Sequence, residues 1–126
     1  MANYEEVSKT NFFCVTNEER YDELFAGLND VEDFTHTVDG RTMHGFGAYT
    51  SIDWKDPETG EWNIDAFYDE LAKILPEGEA VVITFVGHEK LRYIDGCVTV
   101  ITNRDVVTRD LAGIAKEVCR TLHVSQ

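Results

Sequence analysis

The chain has 126 residues with a hydrophobic content of 43%, enough for one domain with its own core and more than disordered chains contain. Its net charge of −13 at pH 7 repels nucleic-acid phosphates and anionic lipid surfaces and favours basic proteins as partners. We therefore expect a single domain over residues 1–126 that binds neither nucleic acid directly nor a membrane.

The three cysteines, Cys14, Cys97 and Cys119, include no C-x-x-C pair. This usage is typical of reduced, buried thiols and argues against a disulfide framework or a zinc site. Residues 1–10 lack the basic and apolar regions of an export signal, and no apolar run reaches the roughly 18 residues of a membrane span. These features predict a cytoplasmic protein.

The negative charge is unevenly distributed along the chain. Residues 1–80 contain 19 Asp and Glu against five Lys and Arg, a net charge of −14, whereas residues 81–126 contain five acids and six bases. A coat of acids that serves only solubility would be spread evenly. The partition therefore predicts an acidic surface built by the earlier elements.

Two elements are predicted before residue 30. The aromatic and β-branched segment Asn11–Thr16 predicts a first strand. A capping-box pattern then begins at Thr16, and Tyr21, Leu24 and neighbouring apolar residues recur with helical spacing up to Leu28. The spacing predicts an amphipathic helix with an acidic outer side.

The middle of the chain predicts a hairpin followed by a loop. Segments 33–38 and 41–50 flank Asp39-Gly40, a dipeptide that favours the type I′ turn of a two-residue β-hairpin. The segment from Ser51 to Asn63 combines Pro57 and Gly60 with four acids and two Trp, which predicts an exposed connection.

Asn63 is predicted to cap a second helix that ends before Pro76. The run from Ala80 to Gly87 is continuously apolar, which predicts a central strand covered on both faces. Residues Tyr93–Thr102 are predicted to form its partner strand.

The C-terminal part predicts a short edge strand at Val106–Thr108 and then a last helix, capped by Asp110 or Thr108. The apolar stripe of that helix consists of Leu111, Ile114, Ala115, Val118 and Leu122.

The predicted order of elements is β-α-β-β-α-β-β-α. It indicates an α+β fold of the ferredoxin-like type with a mainly antiparallel sheet. All three helices are expected to pack on one face of that sheet, because each needs an apolar surface to cover.

Catalytic and metal chemistry has little support in the sequence. A two-residue hairpin loop pairs His36 with Met43 and His44 with Thr35, which places the two imidazoles on opposite faces. No nucleophile motif or metal-ligand spacing is present. We predict a non-enzymatic protein without a cofactor or metal; a pocket uniting His44, His88 and an acid would favour an enzyme instead.

The acidic helices and loop are the predicted partner-binding surface. Glu18 with Asp22, and Asp65 with Asp69, have i, i+4 spacing, so each pair places carboxylates about 6 Å apart on a helix. Trp54 and Trp62 in the acidic loop suggest interface anchors, with packing on the second helix as the alternative. The predicted binding residues are Glu18, Glu19, Asp22, Glu23, Asp53, Trp54, Asp56, Glu58, Glu61, Trp62, Asp65 and Asp69.

Three segments carry a resemblance: S-K-T-N-F-F-C-V (Ser8–Val15), N-E-E-R-Y-D-E-L-F (Asn17–Phe25) and G-H-E-K-L-R-Y (Gly87–Tyr93). They resemble small accessory proteins of phages, plasmids and integrative elements, a group with a ferredoxin-like fold and no assigned activity. The resemblance therefore implies a ferredoxin-like fold but no particular activity. By charge alone, the chain is also similar to anti-CRISPR and anti-restriction inhibitors that mimic DNA.

Together these features predict an acidic binding protein that occupies a basic groove on a nucleic-acid-handling protein, where its carboxylates replace phosphates. The alternative is a module that self-associates through a sheet face or edge strand, with its acids serving solubility. The sequence leaves both a monomer and a homodimer open.

Overall fold

A computed structural model describes residues 4–125 and has a mixed α+β architecture, as predicted. The described residues form three helices, an antiparallel six-stranded sheet of order β2-β5-β1-β6-β7-β8, and a separate β3-β4 hairpin. The elements are β1 (Tyr4–Thr10), α1 (Glu18–Ala26), β2 (Glu32–Asp33), β3 (His36–Val38), β4 (Arg41–Met43), β5 (Phe46–Ala48), α2 (Ile64–Ala72), β6 (Val81–Glu89), β7 (Tyr93–Ile101), β8 (Val106–Asp110) and α3 (Leu111–Thr121).

Six strands in one sheet, with a hairpin outside it, differ from the predicted ferredoxin-like arrangement β-α-β-β-α-β-β-α. The predicted single domain also includes residues 1–3 and 126, which lie outside the described residues.

The first strand lies one segment earlier than predicted. β1 pairs with β6 from Tyr4–Glu89 to Thr10–Ile83, whereas Asn11–Thr16 contributes only an isolated bridge from Phe13 to His44. The apolar alternation that predicts a strand is absent from β1, because two of its buried positions are occupied by the polar residues Ser8 and Thr10. The Ser8 hydroxyl donates to the Thr50 carbonyl, and that of Thr10 accepts from the Phe46 N–H, so neither is left unsatisfied.

Side-chain caps start all three helices. The Asn17 carboxamide accepts from the Arg20 N–H at 3.0 Å, one residue beyond the predicted cap at Thr16. Asn63 caps α2 as predicted, and Asp110 caps α3 through the Gly113 N–H at 2.6 Å. Each cap satisfies a backbone donor that the helix leaves free.

Helices α1 and α2 cover one face of the sheet. Tyr21 and Leu24 of α1 and Phe67 and Leu71 of α2 are buried, and they form one core cluster with the β-strand residues Phe46, Ala48, Val81, Ile83 and Ile101. Because side chains alternate between faces, the residues between these strand positions point to the opposite face.

That opposite face is largely uncovered, and α3 does not join α1 and α2. A Cβ added at Gly96 would lie 3.1 Å from Leu111 Cδ1, so the first turn of α3 lies over the face opposite the core. No residue of α3 is buried. The prediction of three helices on one face is therefore wrong, as is the prediction that the Ala80–Gly87 strand is covered on both faces, because Thr84 and Val86 are exposed.

The predicted hairpin is confirmed in its register. His36 pairs with Met43 and Val38 pairs with Arg41. Asp39 and Gly40 have φ angles of 50° and 77°, as a type I′ turn requires at both central residues. The hairpin is shorter than predicted, because the chain leaves it after Met43 and continues as β5 in the main sheet.

Candidate functional site

Helices α1 and α2 lie side by side, and an ion-pair cluster joins them. The Arg20 guanidinium contacts Glu70 at 2.8 Å, and Lys73 Nζ lies 2.5 Å from the same carboxylate. Hydrogen bonds from Lys73 and then Arg20 hold the pKa of Glu70 below its ordinary value. Arg20 and Lys73 thus both contact the carboxylate of Glu70.

On α1, the outward pair of acids lies one residue later than the predicted pair, Glu18 with Asp22. Glu18 is half exposed, but its carboxylate lies 2.5 Å from Nε2 of the buried His44, so it serves an internal contact. Glu19, Asp22 and Glu23 are exposed, and only Glu23 has a weak ion pair, 3.4 Å from Arg20. The outward i, i+4 pair is therefore Glu19 with Glu23.

The two predicted α2 acids, Asp65 and Asp69, are both exposed. They lie one turn apart on the side away from the buried Phe67 and Leu71. Glu70 follows Asp69 by one residue, about 100° around the helix, and turns toward α1 instead.

The acidic loop is divided between core and surface. Trp54 is 3% exposed, and its Nε1 donates to the Leu24 carbonyl at 2.8 Å. Its ring closely approaches Gly27, where a Cβ would lie 2.5 Å from Nε1. The prediction of Trp54 as a partner-binding residue is therefore wrong. The stated alternative, packing on the second helix, is supported by the contact of Trp54 with Phe67, with 5.9 Å between ring centroids.

Two loop acids act within the chain. Asp53 accepts from the Trp54 N–H, and Asp56 accepts from the Glu58 N–H at 2.9 Å. Both are half-buried, and they hold turns of the loop. The loop between β5 and α2 is thus less exposed than predicted.

Three loop residues remain at the surface, namely Glu58, Glu61 and Trp62. Trp62 is 53% exposed and pairs through its backbone with Lys55. The structure therefore leaves a reduced set of the predicted residues exposed around α1, the loop and α2. We call this set the acidic layer, which consists of Glu19, Asp22, Glu23, Glu58, Glu61, Trp62, Asp65 and Asp69.

The histidines do not converge. His44 contacts Glu18 and Thr35, His36 packs edge-on against Phe12, and His88 lies 3.5 Å from Glu5. Within residues 4–125, no group of three or more His, Cys, Asp or Glu side chains could hold a metal ion. The cysteines are half-buried and free, not fully buried as predicted, and burial raises the pKa of Cys97.

A second surface lies on the uncovered side of the sheet. We call it the open face; its apolar members are Val7, Val82, Val86, Ile94, Val98, Val100 and Val107. Their positions follow from the strand register, because directly paired residues share a face of the sheet: Val86 pairs with Gly96, and Val100 with both Val82 and Val107. Val7, Val86, Ile94 and Val107 are each 43–65% exposed.

A sheet face was predicted only as the alternative site of self-association, and its residues were not identified from the sequence. The sequence signal for it was the continuously apolar run of β6, which is typical of sheets covered on both sides. The apolar stripe of α3 was predicted, but not that the helix would lack a covering element. Both surfaces exceed the isolated apolar residues that protein exteriors usually show.

In the described part of the chain, no helix is both long and apolar enough to cross a membrane. Comparison with known proteins finds no matching family model, and no curated protein or solved structure that is significantly similar to the chain.

Proposed function

We propose that the protein is a non-enzymatic binding protein whose acidic layer occupies a basic surface of a nucleic-acid-handling protein. The observation that supports this is the exposure of seven carboxylates and Trp62 around α1, α2 and the loop between β5 and α2. Arg20 and Lys73, the cations between the two helices, are both engaged by Glu70, and of these carboxylates Glu23 alone has a weak ion pair with Arg20.

The proposed mechanism is replacement of phosphates by carboxylates. Helical i, i+4 pairs such as Asp65 and Asp69 present charges about 6 Å apart, and a partner that binds phosphates would accept them. Trp62 supplies an apolar anchor of the kind that contributes strongly to interfaces. Such a partner could no longer bind its nucleic acid, which is the mode of action of anti-CRISPR and anti-restriction DNA mimics.

The test is an affinity pull-down from a bacterial lysate with the immobilised protein at about 50 mM and about 200 mM salt, a range that strongly weakens phosphate-like contacts. We expect capture of basic proteins that falls with salt and is competed by duplex DNA. The variant Asp22→Asn/Asp65→Asn/Asp69→Asn should lose at least about tenfold of this capture.

The matched control is Glu32→Gln/Asp39→Asn/Asp105→Asn. It removes the same charge from exposed positions outside the acidic layer, and Asn suits the positive φ of Asp39. Equal capture by the two triple variants would contradict the proposal, because total charge alone would then explain binding.

Several finer assignments remain part of this proposal. A cytoplasmic protein of a mobile element would meet such host partners directly. A ferredoxin-like core is supported by the order β2-β5-β1-β6, with α1 between β1 and β2 and α2 between β5 and β6. On that assignment, β7, β8, α3 and the β3-β4 hairpin are additions to the core.

The alternative function, self-association through a sheet face, is favoured by a different observation, the uncovered apolar side of the sheet. It uses a different surface from the acidic layer, so the two functions are compatible.

A further inference from the structure

The open face and the stripe of α3 each have the composition of a covered surface, yet both are largely exposed. β6 is apolar on both sides, but its core side alone is buried, at Val81 and Ile83, while Val86 is 43% exposed. The stripe of α3 leaves Leu111, Ile114, Val118 and Leu122 between 42% and 64% exposed. Leaving this much apolar area in water is unfavourable.

We propose that a second copy of this chain covers both surfaces, with α3 of each copy lying on the open face of the other. A twofold dimer of this kind is self-complementary, because one contact of helix on sheet is repeated by symmetry. The chain itself thus supplies the helix that its sheet lacks and the sheet that its helix lacks.

The dimensions of the two surfaces match. α3 has 11 residues, so it is about 16 Å long. Strands β1, β6, β7 and β8 are neighbours and together span roughly 15–20 Å at about 4.8 Å between strands. One helix can therefore cross the open face of its partner.

The area is also of the size that a stable dimer needs. With seven to nine residues in β1, β6 and β7, the open face is about 25 Å long, so its projected area is roughly 400–500 Å². α3 adds roughly 150 Å². The accessible area of such a corrugated surface exceeds its projection, which brings it close to the about 800 Å² that each partner buries in a standard interface.

Charge favours contact on this side of the molecule. Two chains of net charge −13 repel, but the helix and three of the four strands come from residues 81–126, where six bases exceed five acids. Lys116 and Arg120 give α3 a net positive charge beside Glu117. Contact through the open face leaves the acidic layers, which lie on the covered side of each sheet, pointing away from one another.

The start of α3 rests on its own sheet, and the apolar stripe beyond it stays exposed. The Leu111 side chain rests against Gly96, and Arg109 Nε lies 3.8 Å from Glu117. Val118 and Leu122, further along the stripe, are 49% and 64% exposed. These residues are therefore available to a partner.

The first experiment measures mass by size-exclusion chromatography with light scattering at about 150 mM and about 1 M salt. We expect twice the monomer mass at both, because apolar contacts are not screened by salt. A monomer at every concentration, including one in which α3 closes on its own sheet, overturns the proposal.

Two substitutions locate the interface. Val118→Glu on α3 and Val86→Glu on the open face should each weaken the dimer by at least about 100-fold, because each would bury a charge against apolar side chains. Ala112→Glu, on the polar side of α3, and Val38→Glu, 46% exposed on the separate hairpin, are the controls and should leave the dimer intact. Circular dichroism verifies that all four variants are folded. A dimer unaffected by the two test variants overturns the proposal.

Mixing the two test variants tests whether α3 of one chain docks on the open face of the other chain. The Val118→Glu chain retains an intact open face, and the Val86→Glu chain retains an intact α3, so the mixture can restore one of the two contacts. We expect heterodimers that bind more tightly than either variant binds itself. A mixture that stays monomeric where each variant is monomeric contradicts reciprocal docking, whatever the fate of the acidic layer.

Discussion

The imidazole of His44 lies 2.5 Å from the carboxylate of Glu18 and thereby ties the segment after the β3-β4 hairpin to the first turn of α1. His44 is 4% exposed, and the ring of Tyr21 stacks on it with 3.9 Å between centroids. Nε2 makes this contact with Glu18, and Nδ1 lies 3.2 Å from the hydroxyl oxygen of Thr35. A buried histidine therefore has a hydrogen-bond partner at both nitrogens.

His44→Ala should lower the free energy of unfolding by about 3 kcal/mol, because it opens a cavity and removes a charge-assisted hydrogen bond. His36→Ala, at an exposed position in β3, should cost less than about 1 kcal/mol. Urea denaturation with unchanged m-values measures both. Equal losses would show that His44 is not the residue that joins the hairpin to α1.

Tyr21→Phe should raise the free energy of unfolding by about 1 kcal/mol. The Tyr21 hydroxyl is buried and has no hydrogen-bond partner among the described residues, and an unsatisfied buried hydroxyl is unfavourable. Burial first, and then the nearby Asp33, Asp22 and Glu18, raises the pKa of Tyr21 above its ordinary value. Tyr49→Phe, at an 81% exposed position, is the control and should change stability by less than about 0.5 kcal/mol. A destabilised Tyr21→Phe protein would contradict this assignment.

The two tryptophans should respond differently to substitution and to quenching. Trp54→Phe should cost about 2 kcal/mol, because it removes the hydrogen bond to the Leu24 carbonyl and packing in the core. Trp62→Phe should cost less than about 0.5 kcal/mol. Acrylamide should quench the fluorescence of the variant that retains Trp62 far more than that of the variant that retains Trp54. Similar quenching of the two would mean that Trp54 is not enclosed.

Glu6 should make the fold sensitive to acid. Its carboxylate accepts from the Ser51 N–H at 2.9 Å and the Thr50 hydroxyl at 2.8 Å, and these bonds lower the pKa of Glu6 below its ordinary 4.5. Because the pKa of Glu6 is lower in the folded than in the unfolded protein, its ionised carboxylate stabilises the fold at pH values above the ordinary pKa. This contribution is lost as the pH falls through the pKa of the folded state.

Glu6→Gln should therefore be about 1 kcal/mol less stable than the wild type at pH 7, and the difference should shrink as pH falls below about 4. Urea denaturation over this pH range measures it. A difference that stays constant with pH would show that the carboxylate is not the stabilising form.

Sequence patterns predicted the features that depend on neighbours along the chain. The Asp39-Gly40 turn specifies the register that pairs His36 with Met43, and Asn63 caps α2, because both are local effects of backbone geometry. By contrast, β1 was missed, because Ser8 and Thr10 are buried through hydrogen bonds to segments more than 30 residues away.

The acidic layer was predictable only in part, because helical spacing is a local property whereas the contacts of a side chain with distant groups are not. Helical spacing identifies Asp65 and Asp69 as outward residues, but it cannot show that Glu18 turns to His44, 26 residues away. Nor can composition distinguish Trp54, which fills the space beside Gly27, from Trp62, which remains 53% exposed. These differences depend on which distant group lies nearby.

By itself, the sequence determined the composition of each surface: an acidic first part, a near-neutral C-terminal third, and apolar residues on both sides of β6 and along α3. Only the tertiary structure decided what covers them. Periodicity sets which side of an element is apolar, but the covering element is chosen by chain topology. In this fold, α1 and α2 take one side of the sheet, and α3 leaves from its edge on the other, so the open face and the stripe of α3 remain for a partner.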